Sequence, residues 1–136
     1  MDLTEELPRS PFDMMAGIVM LPRTLDKCKA YNAGTLREYH YNCPLDQSML
    51  AFLGVTAEEF AEKVKESEND EDIEIWAKEK LFGKNSKDIV KFDNQMRHSI
   101  PTEPGKKEWI ESEKKRIGED NYFSFFDNID ADEGRF

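Results

Sequence analysis

Between Leu45 and Ile129 the apolar side chains return repeatedly at three- and four-residue spacing, and most of these runs are bracketed by residues that start or stop a helix. This pattern constrains the fold more than any other feature, because a stripe of period 3.6 buries one helical face, and no stretch alternates with period two for long. The clearest case is Val55-Thr56-Ala57-Glu58-Glu59-Phe60, where Thr56 and Glu59 are spaced as a capping box and Val55 and Phe60 as a hydrophobic staple. Ala57, Phe60, Ala61 and Val64 then supply the buried face, and Glu59 and Lys63 form a supporting pair one turn apart.

The same grammar extends in both directions. Leu45, Met49, Phe52 and Leu53 predict a short helix stopped by Gly54. Asn69 or Asp70 caps a helix with Ile73, Trp76, Ala77 and Leu81 on its core side, and Gly83 ends it. Ser86 opens another helix carrying Ile89, Phe92 and Met96, which Ile100-Pro101 breaks. Trp109, Ile110, Glu113 and Ile117 mark the next, closed by Gly118, and Tyr122, Phe125, Phe126 and Ile129 the last, before a charged tail over 130–136. Nearer the N-terminus, Ser10-Pro11-Phe12-Asp13 reads as a helix start ahead of Met15, Ile18 and Val19. Pro22 either ends that helix or opens the next, in which Leu25 and Cys28 lie one turn apart before a stop near Gly34. The expected architecture is all-α, a compact single domain over 1–136 built from six to eight short helices.

Composition narrows the partners. The chain has 136 residues with 19 basic and 29 acidic side chains, a net charge of −10 that disfavours nucleic acid and anionic membrane surfaces. Leu, Ile, Val and Phe number 30, about 22% of the chain and just above the ~20% below which highly charged chains stay disordered. The fold therefore depends on placing few apolar groups well. No apolar run approaches the ~20 residues that span a bilayer, and Met1 to Glu6 is acidic where a signal peptide is basic, so a cytoplasmic location is expected. Cys28 and Cys43 are expected as reduced thiols. Residues 1–45 are nearly neutral, and the acidic excess lies after Asp46, where solvated helix faces explain it.

One segment is not helical in pattern. Gly34-Thr35-Leu36-Arg37-Glu38-Tyr39-His40-Tyr41-Asn42-Cys43-Pro44 places three rings in succession and reads as an ordered aromatic loop or a small hairpin over 34–45. Tyr39, His40, Tyr41, Asn42, Cys43 and Asp46 offer hydroxyls, an imidazole, an amide, a thiol and a carboxylate within eight residues. The structural reading of these groups has Tyr39 and Tyr41 plugging the core with hydroxyls at its rim, His40 in solvent, Cys43-Pro44 fixing the next helix start and Asp46 capping it. The functional reading makes them a ligand pocket or catalytic patch.

Several chemistries lack their parts. The seven glycines are never closer than 13 residues, so no G-x-G-x-x-G or P-loop cradle can form, and no serine sits in a G-x-S-x-G elbow. Cys28, His40, Cys43 and His98 have no zinc-ligand spacing, and no metal or cofactor is expected. Asn128 to Gly134 looks like a calcium loop, but its glycine falls one residue late and no twelfth-position Glu follows.

Asp2-Leu3, Pro8-Arg9-Ser10-Pro11, Leu21-Pro22-Arg23, Asp26-Lys27, Gly34-Thr35-Leu36, Tyr39-His40-Tyr41-Asn42-Cys43-Pro44-Leu45-Asp46 and Phe52-Leu53-Gly54 together resemble a bacterial family catalogued as domain of unknown function 5069. The resemblance covers roughly residues 2 to 80, and nothing from Lys84 onward is diagnostic. It implies a small soluble bacterial protein and supplies no catalytic residues.

The leading functional expectation is a non-enzymatic ligand- or protein-binding domain that uses the Tyr39–Asp46 loop. Tyr39, His40, Tyr41 and Asn42 would contact a small polar ligand or a partner protein. A competing expectation is a small-molecule enzyme with His40 as general acid or base, Cys43 as nucleophile or polar wall, and Asp46 in the site. A third is a self-associating protein that pairs through Phe125 and Phe126.

Overall fold

The computed structural model describes residues 2–98 and 124–135, so the helix expected around Trp109 to Ile117 and the break at Ile100-Pro101 lie outside the described residues. Six helices occur among the described residues: α1 Leu21–Ala33, α2 Pro44–Leu53, α3 Ala57–Glu66, α4 Asp70–Lys80, α5 Ser86–Arg97 and α6 Phe125–Asp132. The fold is mostly α and compact, as the periodicity predicts. Thr56 caps α3, its hydroxyl accepting from the Glu59 N–H at 3.0 Å. Asn69 and Ser124 cap α4 and α6 in the same way, whereas α5 is capped by Asn85, one residue before Ser86, and α4 turns off at Leu81 before reaching Gly83. Gly54 ends α2 at φ 79°, a left-handed conformation that a side chain disfavours, with its N–H returning to the Leu50 and Ala51 carbonyls.

The helix expected from Ser10 does not form. Met14–Met15 (β1) and Ile18–Val19 (β2) pair antiparallel in the register Met14 to Val19 and Met15 to Ile18. The two residues between them, Ala16 and Gly17, have φ 55° and 82°, the positive pair of a primed two-residue hairpin turn. Spacings of three and four residues fit such a hairpin as well as a helix, and Gly17 decides between them. The Ser10 hydroxyl still accepts from the Phe12 N–H, but as part of a single turn. Pro22 therefore opens α1 in its first turn. The junction residue Met20 stays left-handed at φ 74°, held by full burial and by its N–H to the Pro11 carbonyl.

α1 occupies the centre. Leu21 through Cys28 are all buried, with α3 packed along the helix and β1 against it. The apolar core gathers Ile18, Val19, Leu21 and Leu25 with Met49, Leu53, Phe60, Ile73, Phe92 and Phe126, and Phe12 meets Phe126 edge to face at 5.1 Å. Of the two rings expected to pair copies of the chain, Phe126 is fully buried and Phe125 half-buried. Asp93 of α5 reaches the hairpin and accepts from the Val19 N–H at 3.1 Å, and burial raises its pKa.

Four of the buried positions on α1 are polar: Arg23, Thr24, Asp26 and Lys27. Each is paired, as burial demands. Arg9 grips Asp26 through Nε, Nη2 and its own backbone N–H, at 3.0, 2.9 and 2.8 Å. Arg23 meets Glu133 with two parallel bonds of 3.0 and 2.8 Å, and Lys27 lies 2.7 Å from Asp46. These charge-assisted bonds anchor the N-terminal segment, the C-terminal residues and the aromatic loop on one helix. The charged run from Asp130 is accordingly no free tail: Asp130 to Asp132 continue α6, and Glu133 is fixed under Arg23.

Candidate functional site

The segment between α1 and α2 is an irregular loop with turns at 37–38 and 41–42 and no strand. Its rigidity comes from Asp46, in the first turn of α2, whose side chain is wholly buried. One carboxylate oxygen accepts the Thr24 hydroxyl at 2.6 Å. The other accepts the backbone N–H groups of Asn42 and Cys43 at 3.0 and 3.1 Å and faces Lys27 Nζ. For two successive N–H groups to converge on one oxygen, Asn42 sits at φ 70°, a conformation that asparagine tolerates better than most residues. Arg37 adopts the same left-handed region earlier in the loop.

Tyr39 and Tyr41 hold the loop from either side. The Tyr39 hydroxyl donates to Glu133 at 3.1 Å while Arg23 lies over its ring at 5.7 Å, and burial, with Glu133 beside it, pushes its pKa up to about 12. Tyr41 donates to the Ala57 carbonyl at 2.6 Å, and its ring continues a row that runs Tyr31, Tyr41, Phe60, Trp76, in which Phe60 is fully buried and Trp76 half-buried. Burial raises the Tyr41 pKa strongly and pushes the Cys28 thiol behind it up to about 12, so both stay protonated at neutral pH.

His40, Cys43 and Asp46 are distributed between solvent, helix cap and core. His40 is exposed and makes no hydrogen bond among the described residues. Cys43 is the half-buried N-cap of α2. Cys43 and Asp46 do come together, but through a residue the loop sequence does not announce: Lys27, 4% exposed, places Nζ 3.4 Å from the Cys43 sulfur. Arg23 and Lys27 stand one turn apart on α1, and their signal in the sequence is confined to Leu21-Pro22-Arg23 and Asp26-Lys27 within the family resemblance.

On its outer side the loop borders a groove of about 220 Å³ lined by Tyr31, Tyr41, Asn42, Ala57, Glu58 and Ala61. Tyr31, half-exposed at the end of α1, stacks on Tyr41 at 5.2 Å with the rings 28° apart. The Asn42 carboxamide and the Glu58 carboxylate, both exposed, make no hydrogen bond among the described residues. The groove thus joins an aromatic wall to two unused polar groups. Tyr31 and Glu58 belong to elements that flank the loop, and nothing in the loop's own sequence points to either. Among the described residues no three His, Cys, Asp or Glu side chains cluster as a metal site requires.

These features define a class, a small mostly helical domain in which a buried polar helix fixes an aromatic surface loop. The chain belongs to the family described as domain of unknown function DUF5069, whose model matches residues 5–135. The match carries the family through α5 and α6, well past the stretch in which the resemblance is legible by eye. No curated protein matches the chain.

Proposed function

We propose that this protein is a non-enzymatic binding domain that takes a small polar ligand, or a polar side chain of a partner protein, in the groove between Tyr31, Tyr41, Asn42 and Glu58. The observation that carries this reading is the division of labour between the inner side of the loop and the groove on its outer side. Its inward groups are all committed to Thr24, Lys27, Glu133 and the Ala57 carbonyl, while the outward amide and carboxylate beside the stacked tyrosines are free among the described residues. Such pre-organisation lowers the entropic cost of binding. A carboxylate and a carboxamide oxygen beside ring faces favour a ligand with N–H donors and a flat or cationic group. His40, exposed in the same loop, would contact a larger partner.

The test is a thermal-shift and NMR screen of amine-, guanidine- and amide-bearing metabolites and short peptides, repeated on Tyr31→Ala and Asn42→Gly; neither removes a buried group, and glycine accepts the φ of 70° at position 42. A compound that raises the wild-type midpoint should lose at least about tenfold in affinity on both variants. Unchanged affinity on both would refute the assignment.

An enzyme with His40 as general acid or base and Cys43 at the reacting centre is the second reading, and the ammonium of Lys27 beside the Cys43 sulfur supports it. Loss of a detected turnover in His40→Ala, with ligand affinity retained, would favour it. We also assign the protein to the bacterial cytoplasm; two free cysteines and the absence, among the described residues, of any helix long and apolar enough to cross a membrane are consistent with this.

A further inference from the structure

We propose that Lys27 and Cys43 form a peroxide-sensitive covalent cross-link between α1 and the start of α2. This goes beyond the binding reading and does not depend on it. The two reactive atoms, Nζ and Sγ, already touch at 3.4 Å. Both are carried by elements with little freedom: Lys27 lies on the buried central helix and is itself 4% exposed, and Cys43 is fixed by its N–H to Asp46. Cys43 is half-buried rather than sealed, so a small hydroperoxide reaches the sulfur, whereas Cys28, fully buried, is closed to it.

The chemistry balances with hydrogen peroxide as the oxidant. The Cys43 sulfur attacks one peroxide oxygen, the O–O bond breaks, and the departing hydroxide takes the thiol proton and leaves as water, so that sulfur carries a hydroxyl group; sulfur gives up two electrons and the peroxide takes them. The Lys27 nitrogen then attacks the sulfur, the S–O bond breaks, and the hydroxyl departs as a second water with a proton from nitrogen, leaving an S–N bond. The extra proton that makes Lys27 an ammonium passes to Asp46, 2.7 Å away. That transfer leaves no orphan charge, because the buried ammonium and carboxylate neutralise together. Protonated Asp46 still accepts the Thr24 hydroxyl on its other oxygen. A second peroxide has to arrive from solvent, while the amine is already in contact, so the cross-link forms ahead of further oxidation. Its consequence is a covalent tie from the middle of α1 to the far end of the aromatic loop.

The experiment treats the folded full-length chain with one equivalent of hydrogen peroxide, alkylates it with iodoacetamide under denaturing, non-reducing conditions, and measures intact and tryptic masses. The cross-link predicts a loss of about 2 Da before alkylation, alkylation of Cys28 alone, no tryptic cleavage after Lys27, and reversal by dithiothreitol. Cys28→Ala should retain the loss. Cys43→Ser, which keeps a cap-competent side chain, should abolish it. A Cys28–Cys43 disulfide gives the same mass but leaves no thiol to alkylate, and that outcome overturns the proposal. So does a stable oxygen adduct on Cys43 without the cross-link, or recovery of both thiols unreacted.

Discussion

Glu133 illustrates what a single side chain does in this protein. It lies 110 residues from Arg23 in sequence, yet the two meet in a bidentate pair with side chains 7% and 6% exposed, and the Tyr39 hydroxyl completes the arrangement. Burial alone would raise the Glu133 pKa, but the bonds and charge of Arg23, and then Arg135, outweigh it and hold the carboxyl below its usual range. A depressed folded-state pKa means stability that is present above the unfolded value, about 4.3, and lost as pH falls through the folded one. Glu133→Gln should therefore cost about 3 kcal/mol at pH 7, since it strands a buried guanidinium. The deficit should shrink steadily below about pH 4 as the wild-type acid protonates. Urea denaturation of both proteins at pH 7, 5 and 3 measures it, and a gap independent of pH would contradict the account. None of this pairing is legible in the sequence, where Glu133 sits in a charged run that reads as a tail.

Among the elements, the helices with side-chain caps are the ones the sequence specifies best, because a cap is a local interaction whose partners sit three residues apart. Thr56 and Glu59 are the example. Thr56→Ala should cost about 1 kcal/mol and lower the melting midpoint by about 4 °C, checked by circular dichroism, while ligand affinity in the groove beside Ala57 stays unchanged. A midpoint unaffected by the substitution would mean that α3 is held by packing alone. The hairpin at Met14–Val19 is misread for an equally local reason, since Met15, Ile18 and Val19 satisfy two periodicities and the positive φ of Ala16 and Gly17 is not visible in an apolar pattern. α1 hides its central place more deeply. A helix carrying Arg23, Asp26 and Lys27 within five residues reads as partly exposed until its partners are known, and those partners are Arg9, Asp46 and Glu133, far apart in the chain.

For the whole molecule, the net charge of −10 suggests acids spread over solvated faces. Part of that is a misreading, because after Asp46 the acids Asp93 and Asp127 are buried and the Glu133 side chain nearly so, and Asp26 and Asp46 are buried as well. The molecule uses some of its charge internally, to fasten both chain ends and the aromatic loop to one buried helix. The sequence does single out the loop as the exceptional segment, by its rings. The division around it, into committed inner groups and outer groups that are free among the described residues, depends on Lys27, Thr24 and Glu58, and contacts between separate elements leave no mark on periodicity. The central claim is that this loop is a fixed platform rather than a flexible strap. Native-state hydrogen exchange at the Asn42 and Cys43 amides tests it most directly, because both donate to the buried Asp46 carboxylate. Protection within about tenfold of the Leu25 and Cys28 amides in α1 is the expected result. Exchange as fast as the exposed Glu38 and His40 amides would contradict it.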